Sequence, residues 1–227
     1  MYVRSGLLRK KPEWSQEEFR RYWREHHSKI EAKLPGLVRY EQNHVVDSEQ
    51  RGFSYPRGPE QLDGFSMLWF ESKEAMKQAF ATELGQQLIA DESHFIGDLR
   101  VVTLDQVEVI KPVEGPKLKR MSLLRRLPNV SPETFRKEWR EEHAYLVKRL
   151  DQVLGYRQNL ILEREVPKGN LVPHDVLPID GIVELWFKDT DTISSAFGSP
   201  KGTTLMTHAR EFIGEITTFL VECHVVR

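Results

Sequence analysis

The segment Ser15-Gln16-Glu17-Glu18-Phe19-Arg20-Arg21-Tyr22-Trp23-Arg24-Glu25-His26-His27 returns 116 residues later as Ser131-Pro132-Glu133-Thr134-Phe135-Arg136-Lys137-Glu138-Trp139-Arg140-Glu141-Glu142-His143. The same shift pairs Tyr40-Glu41-Gln42-Asn43 with Tyr156-Arg157-Gln158-Asn159. A shift of 117 pairs Asp63-Gly64 with Asp180-Gly181, Trp69-Phe70 with Trp186-Phe187, and Phe95-Ile96-Gly97 with Phe212-Ile213-Gly214. An internal repeat of this length sets the architecture before any local argument. It divides the 227 residues into a first repeat at 1–112, a linker at 113–118 and a second repeat at 119–227, each repeat being of ordinary domain size.

Each half reads as strand, helix, strand, strand, helix, strand. Strands are expected near residues 3–9, 37–46, 64–71 and 99–110, with counterparts in the second half. Ser15 caps the first helix with Glu18 at the capping-box position, and Ser131 is followed by Pro132 where a missing N–H does no harm. Phe19, Trp23, Ile30 and Leu34 form an apolar stripe that Phe135, Trp139, Leu146 and Leu150 repeat. Loops near 47–62 and 164–178 are long for a compact repeat and suit lids or binding loops. Helical stretches fill 73–97 and 190–214, the second broken near Gly198-Ser199-Pro200.

This βαββαβ order is the ferredoxin-like motif, an antiparallel sheet with both helices on one face. In Phe65-Ser66-Met67-Leu68-Trp69-Phe70 both alternating sets are apolar, so both faces of the strand require burial. Helices cover one face. The sheet of the other half is the simplest cover for the second, as two facing sheets or as a barrel. Leaving that face in water at ~25 cal/mol per Å2 is too costly for an independent half, so the halves should unfold together. The fold class is α+β.

Charge excludes some partners. Lys+Arg total 33 against Asp+Glu 34, so no net basic field exists to recruit nucleic acid or an anionic membrane. The opening residues Met1 to Lys10 lack the apolar run of a signal peptide, and no stretch approaches the length needed to span a bilayer. Cys223 is the single cysteine and reads as a small core residue of the last strand. A cytoplasmic protein is the expectation.

At Lys10-Lys11-Pro12, Ser15-x-x-Glu18-Phe19-x-x-Tyr22-Trp23-x-x-x-His27, Leu34-Pro35-Gly36 and Asp91-Glu92-Ser93-His94-Phe95 the sequence resembles the EthD family of the dimeric α/β-barrel superfamily. The second half departs, with His208-Ala209 in place of Asp91-Glu92, although Phe212 remains. The resemblance implies a fused pseudo-dimer in which one chain supplies both sheets. It also implies the activities of the wider superfamily, which span cofactor-free cyclases, lactone isomerases and monooxygenases as well as haem-dependent chlorite dismutase-like proteins.

His27 and His143 are the candidate catalytic residues. On an ideal helix they fall about 80° from Phe19 and Phe135, at the edge of the apolar stripe and still in contact with solvent. An imidazole there suits proton transfer at neutral pH, while the plainer account is a half-buried histidine bonded to a backbone carbonyl. Tyr40 and Tyr156 share strand faces with Gln42 and Gln158 and could orient a carbonyl. Trp23 and Trp69 read first as core, with a part in walling a pocket. Glu184 replaces Met67 inside the apolar strand Ile182-Val183-Glu184-Leu185-Trp186, and a carboxylate there needs a cationic partner. Edge exposure or a salt bridge between halves is the readier account, and substrate contact the other.

Together with the resemblance, these residues suggest a cofactor-independent isomerase, cyclase or lyase acting on a small carbonyl, lactone or aromatic compound, the resemblance placing it in catabolism. A non-catalytic small-molecule binder is the alternative, with haem-dependent or cofactor-free redox chemistry behind it. No cofactor, metal, nucleic acid or membrane partner is expected. A homodimer of fused chains is compatible with the pattern. The differences at His26/Glu142, Met67/Glu184 and Asp91/His208 point to one working pocket, in the first half.

Overall fold

A computed structural model of the protein describes residues 1–115 and 117–227; Pro116, inside the expected 113–118 linker, lies outside the described residues. The first half runs β1 (Tyr2–Lys10), α1 (Gln16–Tyr22), a π-helical turn (Trp23–His27), α2 (Ser28–Glu31), β2 (Leu37–Asp47), β3 (Gly64–Phe70), α3 (Lys73–Ala81), α4 (Glu83–Phe95) and β4 (Ile96–Ile110). The second half repeats it as β5 (Leu118–Arg126), α5 (Pro132–Glu138), a π-helical turn (Trp139–His143), α6 (Ala144–Lys148), β6 (Gly155–Glu165), β7 (Gly181–Phe187), α7 (Thr190–Gly198), α8 (Pro200–Phe212) and β8 (Ile213–Val225).

The eight strands close into one antiparallel barrel in the order β1-β3-β2-β8-β5-β7-β6-β4. Each half supplies four consecutive strands, and the seams are β2 on β8, with Asn43 opposite Cys223, and β4 on β6, with Gln106 opposite Asn159. Closure removes the exposed edges that two open sheets would leave. It also explains the doubly apolar third strands. Phe65, Met67 and Trp69 join an interior cluster fed by all eight strands, including Val3, Val45, Val102, Met121, Ile161, Ile182 and Phe219. Leu68 and Phe70 pack outward under the helices with Leu34, Tyr40 and Leu88.

Caps and close contacts hold the helices to the sheet. The Ser15 side chain accepts from the Glu18 N–H while Glu18 returns a bond to the Ser15 N–H, and Ser131 accepts from Thr134. Thr82 and Ser199, both extended, end α3 and α7 and cap α4 and α8. Trp23 and Trp139 press on Gly64 and Gly181, where a Cβ would lie 2.3 and 2.4 Å from the indole ring, so only glycine lets these helices approach.

The two long loops exchange places. The strap at 48–62 crosses onto the second half, where the Tyr55 hydroxyl donates to the Ile213 carbonyl at 2.7 Å and the Ile216 N–H donates to the Pro56 carbonyl. The strap at 166–180 crosses onto the first half, where the Lys168 N–H donates to the Leu99 carbonyl. Among the described residues no helix is long and apolar enough to cross a membrane.

Candidate functional site

The first helix of each half contains a π-helical turn, absent from the wheel drawn on ideal geometry. The Ser28 N–H reaches back five residues to the Trp23 carbonyl, which also accepts from the Gln42 side-chain amide at 2.8 Å. The wider turn advances fewer degrees per residue and brings His27 back over the apolar stripe. The expected solvent-edge position is therefore corrected: His27 is 2 % exposed, and it is His26 that lies in solvent, stacked on Tyr22. Gln158 binds the Trp139 carbonyl in the same way at 2.6 Å.

His27 sits among carboxylates. Its Nδ1–H donates to Asp91 Oδ2 at 2.6 Å, and its Nε2 is 3.5 Å from Glu31 Oε2. Burial opposes its charge, but Asp91 and Glu31 outweigh that and hold its pKa up at about 9, so it is an imidazolium at neutral pH. Asp91 and Glu31 are held low by the same contact against the opposing pull of burial. Asp91 also accepts from the Tyr22 hydroxyl at 2.6 Å, and burial followed by that bond raises Tyr22 to about 12. Tyr40, fully buried beneath the helix, accepts from Trp23 Nε1 at 3.1 Å and from Gln42 at 2.8 Å.

Beside this cage a cavity of about 690 Å3 opens between β1, α3, α4 and the strap of the second half. Met76, Phe80, Ile89, Ile96, Leu99 and Leu171 give it apolar walls, and Arg4, Lys73, Lys77, Lys168, Glu92, Glu163 and Glu165 give it charge. Lys168, from the strap, donates to both Glu92 oxygens at 2.5 and 2.6 Å. Burial lowers the Lys168 pKa while Glu92 opposes the shift. Arg4, 6 % exposed, lies over the Phe80 ring at 5.0 Å and donates to Met76 Sδ at 3.2 Å.

The second half has the same walls and almost no space. Phe197, Met206, Ala209, Ile213 and Ile216, the counterparts of Phe80, Ile89, Glu92, Ile96 and Leu99, surround a gap of about 40 Å3. Phe53, from the strap of the first half, fills the remainder. His143 lines this gap and faces His208 at 3.4 Å where His27 faces Asp91. Burial, and then His208, push His143 down to about 3, so it is neutral.

The structure divides the candidate residues among three places. His27, Trp23 and Tyr40 lie under the first-half helix, but none of them lines the large cavity. Tyr156 and His143 line the filled gap of the second half. Trp69 and Glu184 point into the barrel, on the opposite side of the sheet. Glu184 is fully buried, 2.7 Å from Lys119 Nζ and 3.6 Å from Arg157, and both cations also reach Glu41 of the first half, at 3.2 and 3.6 Å. Glu184 is thus not exposed at an edge; its direct partners belong to its own half, and the link between halves runs through Lys119 and Arg157 to Glu41. Burial pulls Glu41 upward, yet Lys119, Arg39 and Arg157 hold it at about 2.

Sequence reasoning missed Arg4, Phe80, Lys168 and Phe53. A signal existed for the first: both copies keep an arginine, Arg4 and Arg120, inside an otherwise apolar strand.

Haem does not fit this cavity. Haem iron takes an axial histidine, cysteinate, methionine or tyrosine. The lining holds no histidine or cysteine, the Met76 sulfur is engaged by Arg4, and the Tyr2 hydroxyl pairs with Thr103 Oγ1 at 3.2 Å. Among the described residues no group of three or more His, Cys, Asp or Glu is placed to hold a metal ion.

Solved structures share the whole architecture at low identity. An anthrone oxidase-like protein superposes with a TM-score of 0.62 at 11 % identity, over 99 % of this chain and 92 % of its own. A candidate monooxygenase of Lactobacillus acidophilus NCFM gives 0.60 at 9 %, over 99 % and 94 %. A dye-decolorizing peroxidase of Bacteroides thetaiotaomicron VPI-5482 gives 0.55 at 11 %, over 97 % and 92 %. These likenesses establish the fold alone. No curated protein sequence matches significantly. The EthD domain model matches twice, over residues 11–98 and 127–215, and the chain belongs to the EthD family.

Proposed function

We propose that the first half is the working half of a cofactor-independent isomerase, cyclase or lyase that takes a small oxygenated compound into its cavity. Glu92 and Lys168 carry the reading. They stand on the wall of the cavity, and their repeat counterparts are Ala209 in the second half and Arg51 on the strap of the first, the latter turned to Asp47 and Glu49. In this reading a substrate carbonyl lies against the Lys168 ammonium, which stabilises the negative charge that grows on oxygen as a neighbouring C–H is deprotonated. Glu92 accepts that proton and returns it to a different carbon, which balances an isomerisation. His27 acts behind them as a positioning residue: its charge fixes Asp91 and with it the last turns of α4 that carry Glu92. His143, neutral and beneath a filled gap, takes no part.

A non-catalytic binding protein is the second reading, favoured by the two short contacts that tie Lys168 to Glu92. Ligand-observed NMR with small lactones, phenols, quinones and acyl-CoA fragments separates the two. New product resonances after several hours, reduced at least ~100-fold in Glu92→Gln with binding retained, support the enzyme. Binding with every ligand unchanged supports the binder.

A further inference from the structure

Corresponding points of the two straps hold Gly52 at φ 88° and Gly169 at φ 90°, and the next residues are Phe53 and Asn170. The Phe53 ring lies 4.4 Å from the Arg120 guanidinium and 4.9 Å from the Phe197 ring, and Arg120 in turn lies 5.0 Å from Phe197. Arg120 is 2 % exposed. Its Nη1 donates to the Arg51 carbonyl, its Nε has no partner, and burial lowers its pKa to about 9. The phenyl ring of Phe53 is therefore a large part of what this buried cation has for company.

The first half keeps two of the three members of this stack. Arg4 lies over Phe80 at the same 5.0 Å. The third is absent, because Asn170 is exposed and a Cβ on Gly169 would meet nothing within 4 Å, whereas one on Gly52 would lie 3.0 Å from Ile193. Lys168 crosses Phe80 at 4.7 Å, and the cavity stays open beside it.

We infer that the first-half cavity receives an aromatic ring, stacked over Arg4 where Phe53 stacks over Arg120, with an oxygen substituent directed to Lys168. Phe53 is the intramolecular stand-in that shows the ring's place. The inference rests on the reading of the first half as the working half and narrows its ligand to aromatic oxygen compounds. A guanidinium face attracts the π-face of an aromatic ring and has no such attraction for a saturated ring of the same size.

Two matched pairs of probes test it by NMR titration of the full chain: phenol against cyclohexanol, and benzoate against cyclohexanecarboxylate. The aromatic member of each pair should bind at one site per chain, about three- to thirtyfold more tightly than its saturated partner, the range of a cation–π contact. Asn170→Phe should fill the cavity and abolish that preference, and Phe53→Ala should create a second aromatic site. Equal binding of aromatic and saturated partners, no binding by any of them at millimolar concentration, or undiminished aromatic binding by Asn170→Phe would each overturn the inference. Aromatic binding with no turnover of any compound removes the enzyme and leaves the inference standing. Turnover of an aliphatic compound without ring preference does the reverse.

Discussion

His27 Nδ1 lies 2.6 Å from Asp91, whereas His143, its repeat, lies 3.4 Å from His208. Replacement of the two carboxylates around His27, Asp91 by His208 and Glu31 by Val147, gives the repeated histidines opposite charge states.

The two histidines should pull stability against pH in opposite directions. The folded pKa of His27, about 9, lies above its ordinary 6.5, so its contribution is complete below pH 6.5 and disappears as pH rises to 9. The folded pKa of His143, about 3, lies below 6.5, so its contribution is complete above pH 6.5 and falls away toward pH 3. Thermal melts from pH 4 to 9.5 should show His27→Gln flattening the alkaline decline and His143→Gln flattening the acid one. Parallel pH curves for wild type and both variants would contradict these charge states.

The barrel cluster should tolerate loss of a matched pair better than loss of one member. Glu184→Met leaves Lys119 buried beside a single carboxylate and should cost about 3–5 kcal/mol, as breaking buried pairs does. Lys119→Val combined with Glu184→Met installs the residues that the first half carries, Val3 and Met67, and should recover most of that loss. Urea denaturation of the single and double variants measures the difference. A double variant less stable than Glu184→Met would mean that the pair is needed for packing.

Gly64→Ala and Gly181→Ala should each destabilise by about 1–3 kcal/mol, because the added methyl overlaps an indole ring that packs against the sheet. Chemical denaturation reads this directly. A change within about 0.5 kcal/mol would mean that the tryptophans have room to shift.

Both barrel seams join strands of different halves, so calorimetry of the full chain should give one cooperative transition. Two separated transitions would mean that each half holds its own core without the other.

The repeat, the doubly apolar third strands and the capped helices were enough to reach two ferredoxin-like halves packed sheet to sheet, because each is a local pattern with few three-dimensional solutions; the choice of a barrel over two facing sheets came from the family resemblance. Glu184 announced its need for a cation in the same way. Lys119 could have been named as the partner, since it breaks the inward apolar series continued by Met121 and Leu123. The site was less legible. The π-helical turn at Trp23–His27 depends on a bond from Gln42 on another element, so helical spacing alone misdirected His27. The cavity depends on which side chain follows a strap glycine, and that the strap crosses to the opposite half is a tertiary fact with no periodicity to betray it.

The crossing of the straps has a bearing on descent. The walls of the first-half chamber include Pro167, Lys168, Gly169 and Leu171, which the second repeat encodes, while its own strap guards the other chamber. Neither copy can drift as a free spare. A substitution beside Gly169 alters what the opposite repeat admits, so ligand preference can evolve in one copy while Glu92 stays untouched in the other.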